Sequence, residues 1–339
     1  MKLLSCIALV CCMVASGVAK AETTANTIKA RGVVNCGISP SLAGFSATDA
    51  SGKYHGIDVD ICRATAAALL GDSDKVKYVP VSSADRFTTL QSGAIDILSA
   101  ASSWTYTRNT ALALEFVAVN FYTGSAFLVR KSLGAASAKD MNGATICDTQ
   151  GTTNEHAVAD FNKLNGIKIN LLVFDDLNQV LGAMQSGRCD GYVNDTGTDA
   201  VLALQLRQTG NEFVVLPEII SNNPQGPFVR QGDEQFYNIV KFSYLAMVNA
   251  EAFDITSQNV DDLRNTSNDP RVRKFLGVDQ DLCGTLTLDK ECFYRVVKQV
   301  GNYGESYERN LGAGSVLKLP RGINALWTKG GLIFSPPFD

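Results

Sequence analysis

Two similar heptapeptides, Leu90-Gln91-Ser92-Gly93-Ala94-Ile95-Asp96 and Met184-Gln185-Ser186-Gly187-Arg188-Cys189-Asp190, constrain the fold more than any other feature of the chain. Each follows a strand-like apolar run and an amphipathic stretch, with Phe87 and Leu90 on one face in the first copy and Leu177, Val180, Leu181 and Met184 in the second. In both, Ser-Gly supplies a helix stop, because glycine takes the left-handed conformation that ends a helix at no steric cost. Short strands at residues 32–36 and 144–147 lead into helices at residues 57–70 and 154–164, so the order β-α-β-α-β occurs twice. Such alternation predicts an α/β protein of two similar lobes, each a parallel sheet with helices on both faces.

The remainder, from about residue 225, is helix-rich. Phe236, Ile239, Val240, Phe242, Leu245 and Val248 recur at helical spacing and read as a core stripe, and the tail beyond residue 317 is rich in Gly and Pro.

Composition narrows the function. With 339 residues, 45% hydrophobic and 19% charged, the chain can bury two cores, and its net charge of −4 speaks against a nucleic-acid partner. Met1-Lys2, the apolar run from Leu3 to Ala19 and the small residues Ala19 and Ala21 around Lys20 predict a secretory signal peptide, residues 1–21. The run is too short for a membrane anchor. Cleavage after Ala21 leaves 318 residues with 28 basic against 34 acidic side chains, a net charge of −6, and a soluble exported protein is expected.

Export makes disulfides the natural state of Cys36, Cys62, Cys147, Cys189, Cys283 and Cys292. Their pairing is open at this level, with Cys283 and Cys292 forming the shortest loop. A metal site is not indicated, since no Cys-x-x-Cys occurs and His55 and His156 are the only histidines. Nucleophile elbows, phosphate-binding glycine loops and HExxH are absent too, so neither a catalytic residue nor a cofactor is expected.

What remains is a ligand cleft outside the carboxyl ends of the strands. There the run from Ser99 to Arg108 is rich in hydroxyls and ends in a guanidinium suited to a carboxylate. Gln150-Gly151-Thr152-Thr153-Asn154 joins a strand to a helix start, where N–H groups face an anion. Asn194-Asp195 places a carboxylate at the end of another strand. Singly these read as a surface arginine, a helix cap and a turn; together they suit a zwitterion.

At these residues the sequence resembles the solute-binding proteins of bacterial ABC transporters for polar amino acids, and in particular the general L-amino acid-binding periplasmic subgroup. The resemblance runs through residues 32–37, 42–46, 56–60, 86–93 and 143–147. It is most specific in Gly301-Asn302-Tyr303-Gly304-Glu305 and in the stretch from Arg321 to Gly331. It implies the two-lobed periplasmic binding protein fold with a helix-rich C-terminal extension, in which residues 22–122 and 223–339 form lobe 1 and residues 123–222 lobe 2, with hinges near 121–125 and 218–222. It implies a monomer that captures an L-amino acid and delivers it to a membrane permease. By position, Arg108 would clamp the α-carboxylate together with Gly151, Thr152 and Thr153. Ser103, the Ala101 carbonyl and Asp195 would hold the α-ammonium.

Ser39, Leu42, Phe45 and Trp104 would line the side-chain end. Ser39 stands where relatives that bind basic amino acids carry an aspartate, and Leu42 where they stack an aromatic ring. Ala100-Ala101-Ser102-Ser103-Trp104 departs from the subgroup's usual Arg-Asn-Thr-Thr-Trp. The competing readings are a periplasmic enzyme on the same fold, of the cyclohexadienyl dehydratase type, and a sensor subunit that presents its ligand to a receptor.

Overall fold

The structure is a computed structural model that describes residues 23–208, 210 and 212–339. The expected signal peptide lies outside the described residues. In chain order the strands are β1 (Val34–Ile38), β2 (Ser41–Leu42), β3 (Ser46–Thr48), β4 (Tyr54–His55), β5 (Val76–Pro80), β6 (Ile97–Leu98), β7 (Leu114–Phe116), β8 (Ser125–Arg130), β9 (Thr145–Thr149), β10 (Asn170–Phe174), β11 (Gly191–Asp195), β12 (Phe213–Val215) and β13 (Phe228–Arg230). The helices are α1 (Thr24–Arg31), α2 (Ile57–Leu70), α3 (Arg86–Gln91), α4 (Tyr106–Ala111), α5 (Asn154–Asn165), α6 (Leu177–Gln185), α7 (Thr196–Gln208), α8 (Glu234–Ala252), α9 (Val260–Thr266), α10 (Pro270–Phe275), α11 (Cys292–Val300) and α12 (Tyr303–Asn310).

The chain has two lobes. One sheet runs β5-β1-β6-β13-β7 and the other β10-β9-β11-β8-β12, the same arrangement twice. The repeated heptapeptides explain it. Each closes its helix at a serine, followed by a left-handed glycine, Gly93 at φ 79° and Gly187 at φ 76°. Each then ends in an aspartate that grips the first strand of its βαβ unit, β1 or β9. Asp96 Oδ2 accepts from Asn35 N and Asp190 Oδ2 from Thr145 N, both at 2.8 Å. The motif thus sets strand order as well as the helix stop.

The expectation of wholly parallel sheets is corrected. β1, β5 and β6 are mutually parallel, as are β9, β10 and β11, but β13 and β8 run antiparallel to their neighbours. Each of these is the strand by which the chain enters a lobe from the other one, so it runs opposite to the strands of the βαβ unit. The two crossings meet at Phe121 and Gln225, whose main chains exchange N–H···O bonds of 2.9 and 3.4 Å.

The six cysteines pair as Cys36–Cys62, Cys147–Cys189 and Cys283–Cys292. Beyond β13, α8 buries Phe236, Ile239, Val240, Leu245 and Val248 against α2 and α11 in one core with lobe 1, while Phe242 packs edge-on against Phe338. Among the described residues no helix is long and apolar enough to cross a membrane.

Candidate functional site

Between the lobes lies a cavity of about 380 Å³. Lobe 1 supplies Ser39, Leu42, Arg86, Ala101 and Ser103; lobe 2 supplies Thr149, Thr152, Thr153, Tyr192 and Asp195. The segments at the end of β5, from Pro80 to Ser83, and at the start of α6, from Asp175 to Asn178, also line it.

The β4–α2 junction shapes the lobe 1 wall. Gly56 at φ 144° ends the three-stranded hairpin sheet of β2, β3 and β4, and a Cβ there would lie 1.8 Å from the Phe45 carbonyl oxygen. α2 then brings Asp58, 1% exposed, beneath the loop after β6. Its carboxylate accepts from Ala101 N at 2.8 Å and Asn120 Nδ2 at 2.9 Å. This fixes Ala101 at φ 43°, a conformation that side chains disfavour, on the cavity wall. Burial raises the Asp58 carboxyl to about 6.

Two lobe 1 guanidiniums reach one lobe 2 carbonyl across the cleft. Arg108 Nη1 donates to the Ser103 carbonyl at 2.9 Å, and Arg86 Nη2 and Arg108 Nη2 each donate to the Gly151 carbonyl at 3.3 Å. Both also lie over the Phe87 ring, at 5.1 and 4.7 Å. Burial lowers Arg86 to about 9, with the neighbouring Arg108 charge adding to the fall, and lowers Arg108 to about 10. Both stay charged near neutral pH. Gly151 is left-handed, and a Cβ there would lie 2.8 Å from the Ser83 carbonyl oxygen, so glycine lets the lobes touch.

Opposite them, Asp195 ends β11. Its oxygens accept from Asn223 Nδ2 at 2.8 Å and Gln225 Nε2 at 2.5 Å, both from the second crossing. Burial raises Asp195 to about 6, opposed by those bonds and by the charges of Arg86 and Arg108. Asp199, one turn further on α7, is fully buried and its carboxyl is pushed well up, by burial and by the Asp195 charge. Two guanidiniums against one shared carboxylate leave a positive surplus that suits a ligand carboxylate.

The structure brings together Ser39, Leu42, Ala101, Ser103, Thr152, Thr153 and Asp195 on the cavity wall. Arg108 and Gly151 adjoin it through the shared carbonyl. Two of the expected residues lie elsewhere. Phe45 is 1% exposed and packs edge-on against Phe121, 5.1 Å between centroids, so it is core rather than wall. Trp104 is half exposed and stacks on Phe116. Its apolar face is spent on that ring.

Sequence reasoning missed Arg86, Tyr192, Asn223 and Gln225. For Arg86 a signal was present: aligning the heptapeptides sets it opposite Val180, a core residue of α6, and a charge in one copy at an apolar position of the other marks a site.

Asp148 lies behind the Gly-Thr-Thr loop, fully buried, accepting from Thr149 N at 2.7 Å, Asn154 Nδ2 at 3.2 Å and Thr152 Oγ1 at 3.2 Å. Burial outweighs these bonds and raises its carboxyl to about 7. The folded protein therefore holds this proton at pH values where the unfolded chain has lost it. The stability it contributes is present below the unfolded value and lost as pH rises through about 7. Asp148→Asn is neutral throughout, so its melting temperature relative to the wild type should rise between pH 5 and pH 8 in scanning calorimetry. A difference that stayed constant or fell would contradict the assignment.

The family model for bacterial extracellular solute-binding proteins, family 3, matches residues 34–257. The chain belongs to this family. It is 48% identical, over 94% of each chain, to the general L-amino acid-binding periplasmic protein AapJ of Rhizobium johnstonii. Over the same share it is 44% identical to the glutamate/glutamine/aspartate/asparagine-binding protein BztA of Rhodobacter capsulatus. Its fold is similar to that of an ABC transporter periplasmic binding protein from Brucella ovis with glutathione bound. The TM-score is 0.90 at 40% identity, covering 94% of this chain and all of that one. These family 3 relatives are binding proteins.

Proposed function

We propose that this family 3 protein is exported to the periplasm, loses residues 1–21, and acts as a monomer that captures L-amino acids of several kinds and delivers them to the permease of an ABC transporter. The observation that carries this reading is the convergence of Arg86 and Asp195 on the wall of one inter-lobe cavity, with Arg108 adjoining it through the Gly151 carbonyl. The two guanidiniums would take the carboxylate end of a ligand, and Asp195 with the Ser103 hydroxyl and the Ala101 carbonyl its ammonium end. The lobes are residues 22–122 with 223–339, and 123–222; ligand contacts from both favour the closed arrangement.

Ligand-stripped protein titrated calorimetrically with the common L-amino acids should bind several of them. Failure of every one would sink the proposal. Glutathione belongs in the same titration as a second reading, because the Brucella ovis relative holds that peptide. No turnover is expected. Loss of prephenate or arogenate on incubation with the protein would favour the dehydratase reading, and co-purification with a receptor instead of a permease the sensor.

Specificity is read at the cavity wall. Ser39 is half-buried there, with its carbonyl accepting from Ser46 Oγ at 2.5 Å. Ser39→Asp should raise the affinity ratio of Lys and Arg over Glu roughly tenfold or more, by attraction of the one and repulsion of the other. An unchanged ranking across the amino acids would remove Ser39 from the side-chain end.

A further inference from the structure

The two stretches in which the resemblance is most specific, Gly301–Glu305 and Arg321–Gly331, line no part of the cavity yet converge on the first crossing between the lobes. Asn324 is 5% exposed, and its side chain takes both main-chain groups of Tyr122: Oδ1 accepts from Tyr122 N at 2.6 Å and Nδ2 donates to Tyr122 O at 3.0 Å. Asn324 is itself held. Arg321 donates to its carbonyl through Nε at 3.2 Å and Nη2 at 3.0 Å, and pairs with both oxygens of buried Glu251 on α8. Two residues earlier in the crossing, Tyr303 Oη donates to Asn120 O at 2.8 Å.

At Thr123 the partners change lobe. Thr123 Oγ1 lies 3.1 Å from Thr196 Oγ1, Gly124 O accepts from Thr196 N at 2.9 Å, and Ser125 N donates to Ser221 Oγ at 3.3 Å. A Cβ on Gly124 would lie 2.3 Å from the Ser221 carbonyl oxygen, so only glycine fits between the crossings there.

We propose that the C-terminal extension is a hinge brace: Asn324, locked by Arg321 and Glu251, pins the first crossing to lobe 1 as far as Tyr122 and so confines bending to the Tyr122–Gly124 step. Asn324 is a positioning residue, which acts on the ligand only through lobe geometry. This rests on the reading that the lobes close on a ligand. The brace limits how far and about which axis they open, because a backbone tied to lobe 1 by both its N–H and its C=O cannot turn with lobe 2.

The test uses the ligand-free, full-length mature protein. Hydrogen exchange of the segment spanning residues 120–124 is compared between the wild type and Asn324→Ala, together with inter-lobe distances between spin labels at the exposed positions Thr110 and Lys163. In Asn324→Ala, exchange of this segment should quicken roughly tenfold or more while α8 keeps its protection, and the distance distribution should broaden. Asn324→Asp keeps the acceptor for Tyr122 N–H and should restore most of the protection, which also serves should the alanine variant not fold. Unchanged exchange at residues 120–124, or equal acceleration in α8, would overturn the brace and leave closure standing. A single fixed distance in both proteins, unmoved by added L-glutamine that calorimetry shows to bind, would overturn closure and the brace with it.

Discussion

Arg108→Ala is expected to weaken every L-amino acid together, by roughly 2–5 kcal/mol, or about thirtyfold to several thousandfold in Kd. The physical reason lies in what the guanidinium leaves behind. Arg108 is buried, tied to the Ser103 and Gly151 carbonyls, and its charge helps keep Asp195 ionised against a strong burial penalty. Its loss strands a ligand carboxylate and Asp195 alike. Arg86→Ala should act in the same direction, because Arg86 shares the Gly151 carbonyl and lies on the wall itself. Asp195→Ala removes the opposite end of the clamp and should also spare no ligand. Since all three read groups common to every amino acid, the ranking among side chains should hold while affinities fall. Lysine at position 108 should rescue little, as an ammonium lacks the planar fork that reaches two acceptors at once. Calorimetry of the variants checks this, and an Arg108→Ala protein that bound normally would remove that residue from the site.

Replacing Cys147 and Cys189 by serine should give the largest loss of stability. Their bond closes a segment of sequence separation 42, and constraining a loop of that length in the unfolded chain contributes about 4 kcal/mol. It joins β9, which carries the Gly-Thr-Thr loop, to the turn before β11, which carries Asp195. Both cysteines are almost fully buried against α6 and α7. The double variant should melt roughly 10 °C lower, and reducing agent, which also opens Cys36–Cys62 and Cys283–Cys292, should lower the wild type at least as far. Equal melting of variant and wild type would show that the packing around the bond suffices without it.

The same bond shows how far the sequence could be read. Cys147 and Cys189 occupy, in lobe 2, the places that Gly37 and Ile95 occupy in lobe 1, where the Ile95 side chain fills the space a Gly37 Cβ would need. Cys36 sits one residue before Gly37 and so faces the other side of its sheet, toward α2 and Cys62. The pairing therefore follows from strand register and face, which a count of cysteines does not contain. Only the short Cys283–Cys292 loop was the natural choice from spacing.

The periodic and local features of this protein were legible in the sequence. Repetition of helix, glycine stop and strand determined two like lobes, because backbone conformation at Ser-Gly and burial at helical spacing are local properties. The strand-end positions of Ser103, Thr152, Thr153 and Asp195 followed from the same pattern. Tertiary structure alone decided the antiparallel entry strands, the burial of Phe45, the stacking of Trp104 on Phe116 and the arrival of Arg86 beside Arg108. It also decided that Asn324 meets Tyr122 across a separation of 202 residues. These depend on which surfaces meet when two lobes and an extension pack, and residues distant along the chain carry no local mark of a contact that only folding creates.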